Sequence, residues 1–201
     1  MLVGVNEGAI HAVLPLIETF HRGHPGVFVE VRRHAARQLP QEVLLRTLDF
    51  GVLTFKPAER ALDSLLLGTD ELVLLVPPSH PLAGQAEITM EEMGRQAIIA
   101  HNDPSPARER VLRLYEQRHA PLNIRMSLPS LDGIKRAVEM GLGVALLPRR
   151  CAQGEIARGQ LAAVAVPELQ SPREIRFVFR RDGGLSHAAR AFLETVRSTY
   201  N

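Results

Sequence analysis

Three short loops carry residue types suited to holding a small anion rather than attacking a bond. Asn6-Glu7-Gly8-Ala9, His101-Asn102-Asp103-Pro104-Ser105 and Ser127-Leu128-Pro129-Ser130 each follow a β-type run and lead into a helical one. At such a point the first backbone N–H groups of the helix lack an intrahelical partner, and the dipole presents its positive end. An anionic group fits there without a dedicated cation. Gly8 allows close backbone approach. Pro106 suits a first helical position with Ser105 as its cap, and Ser130 caps a helix from Leu131. Thr54-Phe55, closing a third β-type run, makes a fourth wall. His101 ends a strand, where an imidazole can donate to an anion and titrates near neutrality. Each residue also has a plain structural reading: Ser105 and Ser130 as caps alone, Asn6 as a strand end, Phe55 as core. Glu7 opposes an anion, so it points away, pairs with an arginine, or meets a ligand bearing a donor.

Covalent chemistry is poorly provided for. Cys151 follows Arg149-Arg150, which would favour its thiolate, but no histidine lies near it in the sequence. His21-x-x-His24 has a spacing that could face a metal, yet Gly23 and Pro25 make it a helix-ending turn. Glu91-Glu92 opens a short helix, where carboxylates complement the dipole. No nucleophile elbow, phosphate loop or dinucleotide fingerprint occurs. Gly141-Leu142-Gly143 lacks a third glycine and precedes a strand, so it ends a helix and turns the chain. No catalytic residue, metal or cofactor is expected.

Composition limits the partners. The 201 residues are 45% apolar and 23% charged, with a mean hydropathy of −0.02, a globular rather than disordered profile. No apolar run approaches the roughly 18 residues of a membrane span, and the N-terminus shows neither the basic nor the apolar region of an export signal. One cysteine excludes an internal disulfide framework, and a cytoplasmic setting is expected. Net charge is only +2 despite a pI near 9.1, and the arginine pairs are scattered. With aromatics at 4% and no tryptophan, nucleic-acid binding by this chain alone is unsupported.

The elements that must position these loops follow from apolar periodicity. Strands are predicted at 2–5, 27–31, 50–55, 63–67 and 71–76, with helices over 8–22 and 39–48. A second round has helices at 89–93, 106–118 and 131–140 and strands at 97–100, 123–128, 144–147, 161–166 and 174–179; a helix over 188–197 closes the chain. Short crossovers in β-α-β-α-β order imply parallel pairing. The last strand and helix have no partners of their own, so they return to the first round. The expected organisation is α/β, with two Rossmann-like subdomains joined by two crossover strands: residues 1–76 plus 175–201, and 77–174. Crossings are expected at 76–79 and 171–175.

The sequence resembles the effector-binding domain of LysR-type transcriptional regulators. The likeness runs from Leu14-Pro15, Phe20 and His24-Pro25 to Leu48-Asp49-Phe50-Gly51-Val52, then Asp70-Glu71-Leu72-Val73-Leu74-Leu75-Val76-Pro77 and His80-Pro81-Leu82-Ala83. It resumes over residues 134–138 and Gly141-Leu142-Gly143-Val144-Ala145-Leu146-Leu147-Pro148, and ends with Gly159-Gln160-Leu161 and Ala191-Phe192-Leu193. Each piece is weak alone; their shared order and spacing carry the likeness. Three departures stand out. The turn Arg32-Arg33-His34-Ala35-Ala36-Arg37 is basic and lacks a glycine, Thr47 stands where glycine is common, and Thr54-Phe55 supplies no cation.

That resemblance implies a periplasmic-binding-protein-like (type 2) fold with a small-molecule cleft between the lobes, lined by the loops named above. It implies a ligand-sensing and oligomerisation role, with the winged helix-turn-helix that reads DNA outside this sequence. The effector, a small organic anion by the character of the loops, would bridge both lobes and shift dimer contacts. Family members pair such domains side by side in opposite directions, which makes the helices near 10–22 and 131–140 the expected contacts of a homodimer, with a tetramer for the full-length protein. Two other readings share the architecture: a transport solute-binding protein, which needs export, and an enzyme, for which the sequence offers no catalytic set.

Overall fold

The computed structural model describes residues 1–102, 105–170 and 173–200. Asp103 and Pro104 of the second candidate loop, and Ser171 and Pro172 of the second expected crossing, lie outside the described residues. In chain order the first elements are β1 (Leu2–Val5), a 3-10 turn (Glu7–Ala9), α1 (Ile10–Gly23), β2 (Glu30–Arg33), α2 (Leu39–Leu44), β3 (Phe50–Leu53) and β4 (Leu62–Asp70). Next come β5 (Leu72–Val76), α3 (Met90–Gly94), β6 (Ile98–His101), α4 (Pro106–Arg118), β7 (Ile124–Leu128), α5 (Leu131–Glu139) and β8 (Ala145–Pro148). A 3-10 turn (Arg149–Ala152), α6 (Gln153–Ala157), β9 (Ala162–Val164) and a 3-10 turn (Pro167–Leu169) lead to β10 (Arg173–Arg180) and α7 (His187–Tyr200). The chain forms two compact units, Met1–Thr69 with Arg173–Asn201, and Asp70–Pro172.

In the first unit the sheet order is β2-β1-β3-β10-β4. β1 runs parallel to β2 and β3, and β10 runs antiparallel to β3. Period-2 alternation sorts the side chains onto two faces. Val3, Val5, Phe50, Val52 and Phe177 join Phe20 of α1 and Phe192 of α7 in one core; Leu53 and Val178 join Leu39 and Val43 of α2 in another. Gly4 belongs to the α2 face because a Cβ there would stand 2.3 Å from Leu48 Cδ1. The aromatic centre is tight, with Phe50 and Phe177 ring centroids 4.7 Å apart and Phe20 edge-on to Phe192 at 5.1 Å. Burying each such ring contributes about 2–3 kcal/mol.

Three expected elements shift here, each for a local reason. The strand expected at 27–31 lies at Glu30–Arg33, where parallel pairing with β1 sets the register and an edge position tolerates charge. Val27 and Val29 pack on the core from the preceding loop instead. The helix expected to Leu48 stops at Leu44, because Arg46 takes a left-handed conformation (φ 63°). Arg180, buried on β10, then donates to the carbonyls of Val43 and Leu48 at 2.9 and 3.4 Å and closes that turn. β3 ends at Leu53, not Phe55, so Thr54 and Phe55 belong to the bend that follows.

The second unit holds an antiparallel sheet β8-β5-β9 and a parallel pair β6-β7. A bridge between Ile98 and Val144 joins them; Gly143 permits it, since a Cβ there would stand 2.4 Å from the Ala97 carbonyl oxygen. β5 pairs with β8 and β9, so the chain leaves the first unit at Thr69, not after Val76 as the periodicity suggested. The reason is hydrogen-bonding partnership: an apolar strand reads the same in either sheet. Asp70 anchors the new start, its Oδ1 accepting from the Glu71 and Arg150 backbone N–H groups. β10 and α7 belong to the first unit. The 3-10 turns and α6 carry too little apolar period to be read from the sequence.

Candidate functional site

Parallel strands bring the candidate loops together in pairs, one pair in each unit. In the first unit Val5 pairs with Val52, so the loop after β1 and the bend after β3 emerge side by side. In the second, His101 pairs with Leu128, and the Asn102 N–H donates to the Leu128 carbonyl at 3.0 Å. The loop after β6 and the loop after β7 are therefore neighbours. Both are carboxyl ends of parallel strands, where open α/β sheets bind ligands.

Asn6 continues β1 with an extended backbone (φ −84°, ψ 155°) and precedes the 3-10 turn without capping it. Its carbonyl accepts from the Ala9 N–H at 2.9 Å, while its side-chain Oδ1 is buried without a hydrogen-bond partner. Such an atom costs about 1–3 kcal/mol and calls for an explanation. Glu7 pairs with Arg33 at 3.8 Å, the second of its three sequence readings. Gly8 sits in the turn, and Ala9 is fully buried in the core, leaving only its backbone to face a ligand. Thr54 is half-buried; Phe55 packs against the α2 core and so supports the plain reading more than the binding one.

In the second unit Ser105 caps α4, accepting from the Arg108 N–H at 3.2 Å, and Ser130 caps α5, accepting from the Gly133 N–H at 3.3 Å. Their hydroxyls serve the helix, as the plain reading had it. Asn102 is exposed and lends its carbonyl to Arg108 at 3.2 Å. His101 is half-buried at the end of β6, Ser127 is exposed, and Leu128 packs on the core of this unit. Helix starts and polar tips thus stand where the sequence put them.

Cys151 is buried in the second core. His24 ends α1, its backbone N–H donating to Phe20 and its ring stacked on Phe20 with centroids 4.4 Å apart. Among the described residues no group of three or more His, Cys, Asp or Glu could hold a metal, and no helix is long and apolar enough to cross a membrane. Glu92 completes a capping box with Thr89 at the start of α3. Gly141 ends α5 at φ 74°.

One cation escaped the sequence reading. Arg176 on β10 lies opposite Leu53, the last residue of β3. Its Nε donates to Glu174 at 2.7 Å and its Nη1 to Ser64 Oγ at 3.2 Å, with the side chain 16% exposed. The Arg176 hydrogen bond and charge hold the Glu174 carboxyl below its ordinary range. Thr54-Phe55 itself supplies no cation; Arg176 lies opposite the residue before that pair. That pairing joins β3 to a strand about 120 residues downstream in the chain, and only the sheet order reveals it.

Comparison with known proteins agrees with this arrangement. A family model described as the LysR substrate binding domain matches residues 3–201. The RuBisCO operon transcriptional regulator of Allochromatium vinosum is 24% identical over 98% of this chain and 68% of its own length. A probable RuBisCO transcriptional regulator of Cyanophora paradoxa is 26% identical over 100% of this chain and 64% of its own. The chain therefore spans about two thirds of these relatives. Among solved structures, the Synechocystis PCC6803 CcmR regulatory domain in complex with 2-PG superposes with a TM-score of 0.86 at 22% identity, covering 100% of this chain and 97% of that one. The effector-binding domain of QuiR in complex with shikimate gives 0.78 at 18% identity, covering 99% and 95%. Likeness at this identity speaks to the fold, which is of the periplasmic-binding-protein-like type 2 class.

Proposed function

The chain belongs to the LysR substrate binding domain family, and from that premise we propose that it is the effector-sensing part of a transcriptional regulator. It binds a small molecule through the loops at the carboxyl ends of its parallel strands and does no chemistry on it. The regulator names of its relatives favour this reading over a transport solute-binding protein. The DNA reader, the homodimer through the α1 and α5 helices, the tetramer and the cytoplasmic setting belong to the same proposal. Leu14 on α1 and Met140 at the end of α5, 49% and 63% exposed, are apolar groups suited to such a contact.

The observation that carries the effector reading is the buried, unpartnered Oδ1 of Asn6 at the carboxyl end of β1. An effector acts by binding one state of the regulator more tightly than another. The proposed site residues are Asn6 and Thr54 in one unit and His101, Asn102 and Ser127 in the other.

A thermal-shift screen of charged and neutral metabolites tests this. A true effector at 100 times its Kd should stabilise the protein by about 2.7 kcal/mol. Asn6→Ala and Asn102→Ala should each abolish most of that shift while leaving the unliganded midpoint within about 2 °C. Among the described residues, neither side chain makes a hydrogen bond that folding would lose. A full shift retained in both variants would move the site elsewhere.

A further inference from the structure

We propose that the effector presents a neutral hydrogen-bond donor, a hydroxyl, to Asn6, whose Oδ1 accepts it. The inference rests on the effector reading and names the chemistry of the group that reaches the first unit.

Two properties of Asn6 set the sign of the contact. Its Oδ1 is buried and has no hydrogen-bond partner among the described residues, although the residue as a whole is only half-buried. A side-chain amide oxygen offers lone pairs and no proton. The side chain does not cap the turn that follows; the backbone carbonyl of Asn6 is what accepts from the Ala9 N–H. The oxygen is therefore kept from water without serving the fold, and what it lacks is a donor.

Each class of ligand group meets that acceptor differently. A carboxylate or phosphate oxygen also brings lone pairs only, so the anion expected at the helix starts is not the group that meets Asn6. An ammonium donates, but the 3-10 turn at Glu7–Ala9 runs directly into α1, and the positive end of that helix follows Asn6 in the chain. Glu7, the adjoining carboxylate, is engaged with Arg33 at 3.8 Å rather than free for a cation. A hydroxyl donates without bringing charge. The unliganded protein carries an unsatisfied acceptor and the liganded one does not, a difference that favours the bound state. Selectivity follows as well, since a site that must pair a buried polar atom rejects an analogue lacking the partner more strongly than an apolar site does.

Isothermal titration with matched pairs tests the assignment: meta-hydroxybenzoate against benzoate, shikimate against cyclohexenecarboxylate, and lactate against propionate. In the parent at least one hydroxylated member should bind about 10-fold or more tightly than its deoxy partner. Asn6→Leu keeps the size of the side chain and removes its acceptor. There the preference should fall to within about twofold, the deoxy partner binding as it does to the parent. Reading the ratio within each variant isolates the contact between hydroxyl and Asn6 from any general effect of the substitution. Should the leucine variant fail to fold, Asn6→Ala is read in the same way. The assignment is overturned if no hydroxylated member outbinds its partner in the parent, or if the preference survives in the variant. It is equally overturned if Asn6→Ala lowers the unliganded thermal midpoint by more than about 5 °C, which would show the side chain serving the fold. In each of these cases, binding of any member that Asn102→Ala abolishes would leave the effector reading standing.

Discussion

Gly94→Ala is expected to lower the thermal midpoint by about 10 °C or more. Gly94 ends α3, and a Cβ there would stand 1.9 Å from the Pro121 carbonyl oxygen and 2.8 Å from Tyr115 Cε1. The first contact is with backbone, which cannot rotate away. The second is with a ring fixed at its far end, since the Tyr115 hydroxyl donates to the Met90 carbonyl at 2.6 Å in a buried setting. Burial holds the Tyr115 hydroxyl far above its ordinary pKa, so it stays a donor at any physiological pH. The Asn123 N–H also donates to the Gly94 carbonyl at 2.9 Å, pinning the two segments from the other side. Relief would require α3 to lift from α4 and from the strand entering β7. Overpacking of this kind costs typically 1–3 kcal/mol, and more where backbone must move. A cost near 4 kcal/mol converts to about 8–16 °C at this chain length. Differential scanning calorimetry of Gly94→Ala beside Gly84→Ala decides the matter, because a Cβ at Gly84 meets nothing within 4 Å. Equal midpoints would show that the approach at Gly94 is not a constraint.

What was legible in the sequence followed from periodicity, and what was not followed from partnership. α1, α4, α5 and α7 could be placed because each shows apolar residues at helical spacing with a cap or a glycine stop, as Ser105, Ser130 and Gly141 illustrate. β5 was seen as a strand but assigned to the wrong unit, because Leu72–Val76 is apolar on both faces and carries no mark of which sheet completes it. The candidate loops were legible for the same reason as the helices: a polar tip between a strand and a cap has a physical signature. The place of Arg176 was not, because its pairing with Leu53 joins residues 123 apart in the chain. Nor could spacing show that Phe55 turns into the α2 core or that Arg180 would close the end of α2.

Lys135→Ala is expected to cost about 3 kcal/mol and to do so in a pH-dependent way. Lys135 lies on α5 with its side chain 7% exposed. Its ammonium donates to Glu155 Oε1 at 2.7 Å and the Cys151 carbonyl at 2.8 Å, and it pairs with Asp132 Oδ1 at 2.9 Å. Three acceptors satisfy all three N–H donors. Asp132 is 88% exposed and adds little; Glu155, 18% exposed, and the buried carbonyl do most of the holding. Burial alone would lower the lysine's pKa, but the bonds to Glu155 and Asp132 outweigh it and raise it. Burial likewise works against the ionised Glu155, and the Lys135 bond again prevails, lowering its pKa. Removing the cation strands a carboxylate and a carbonyl between α5 and α6, the situation in which broken buried pairs cost about 3–5 kcal/mol. Glu155's contribution is complete above its unfolded value of 4.5 and is lost as pH falls through its lower folded value. The lysine's contribution is complete below 10.5 and is lost as pH rises through its higher folded value. The stability gap between Lys135→Ala and the parent, measured by urea unfolding, should therefore be flat from about pH 5 to pH 9 and narrow at either end. A Lys135→Met, Glu155→Gln double variant, which strands no charge, should recover more than half of the loss. A gap that keeps its full size at pH 3.5, or a double variant as unstable as the sum of its parts, would mean that α5 is held by packing rather than by this ammonium.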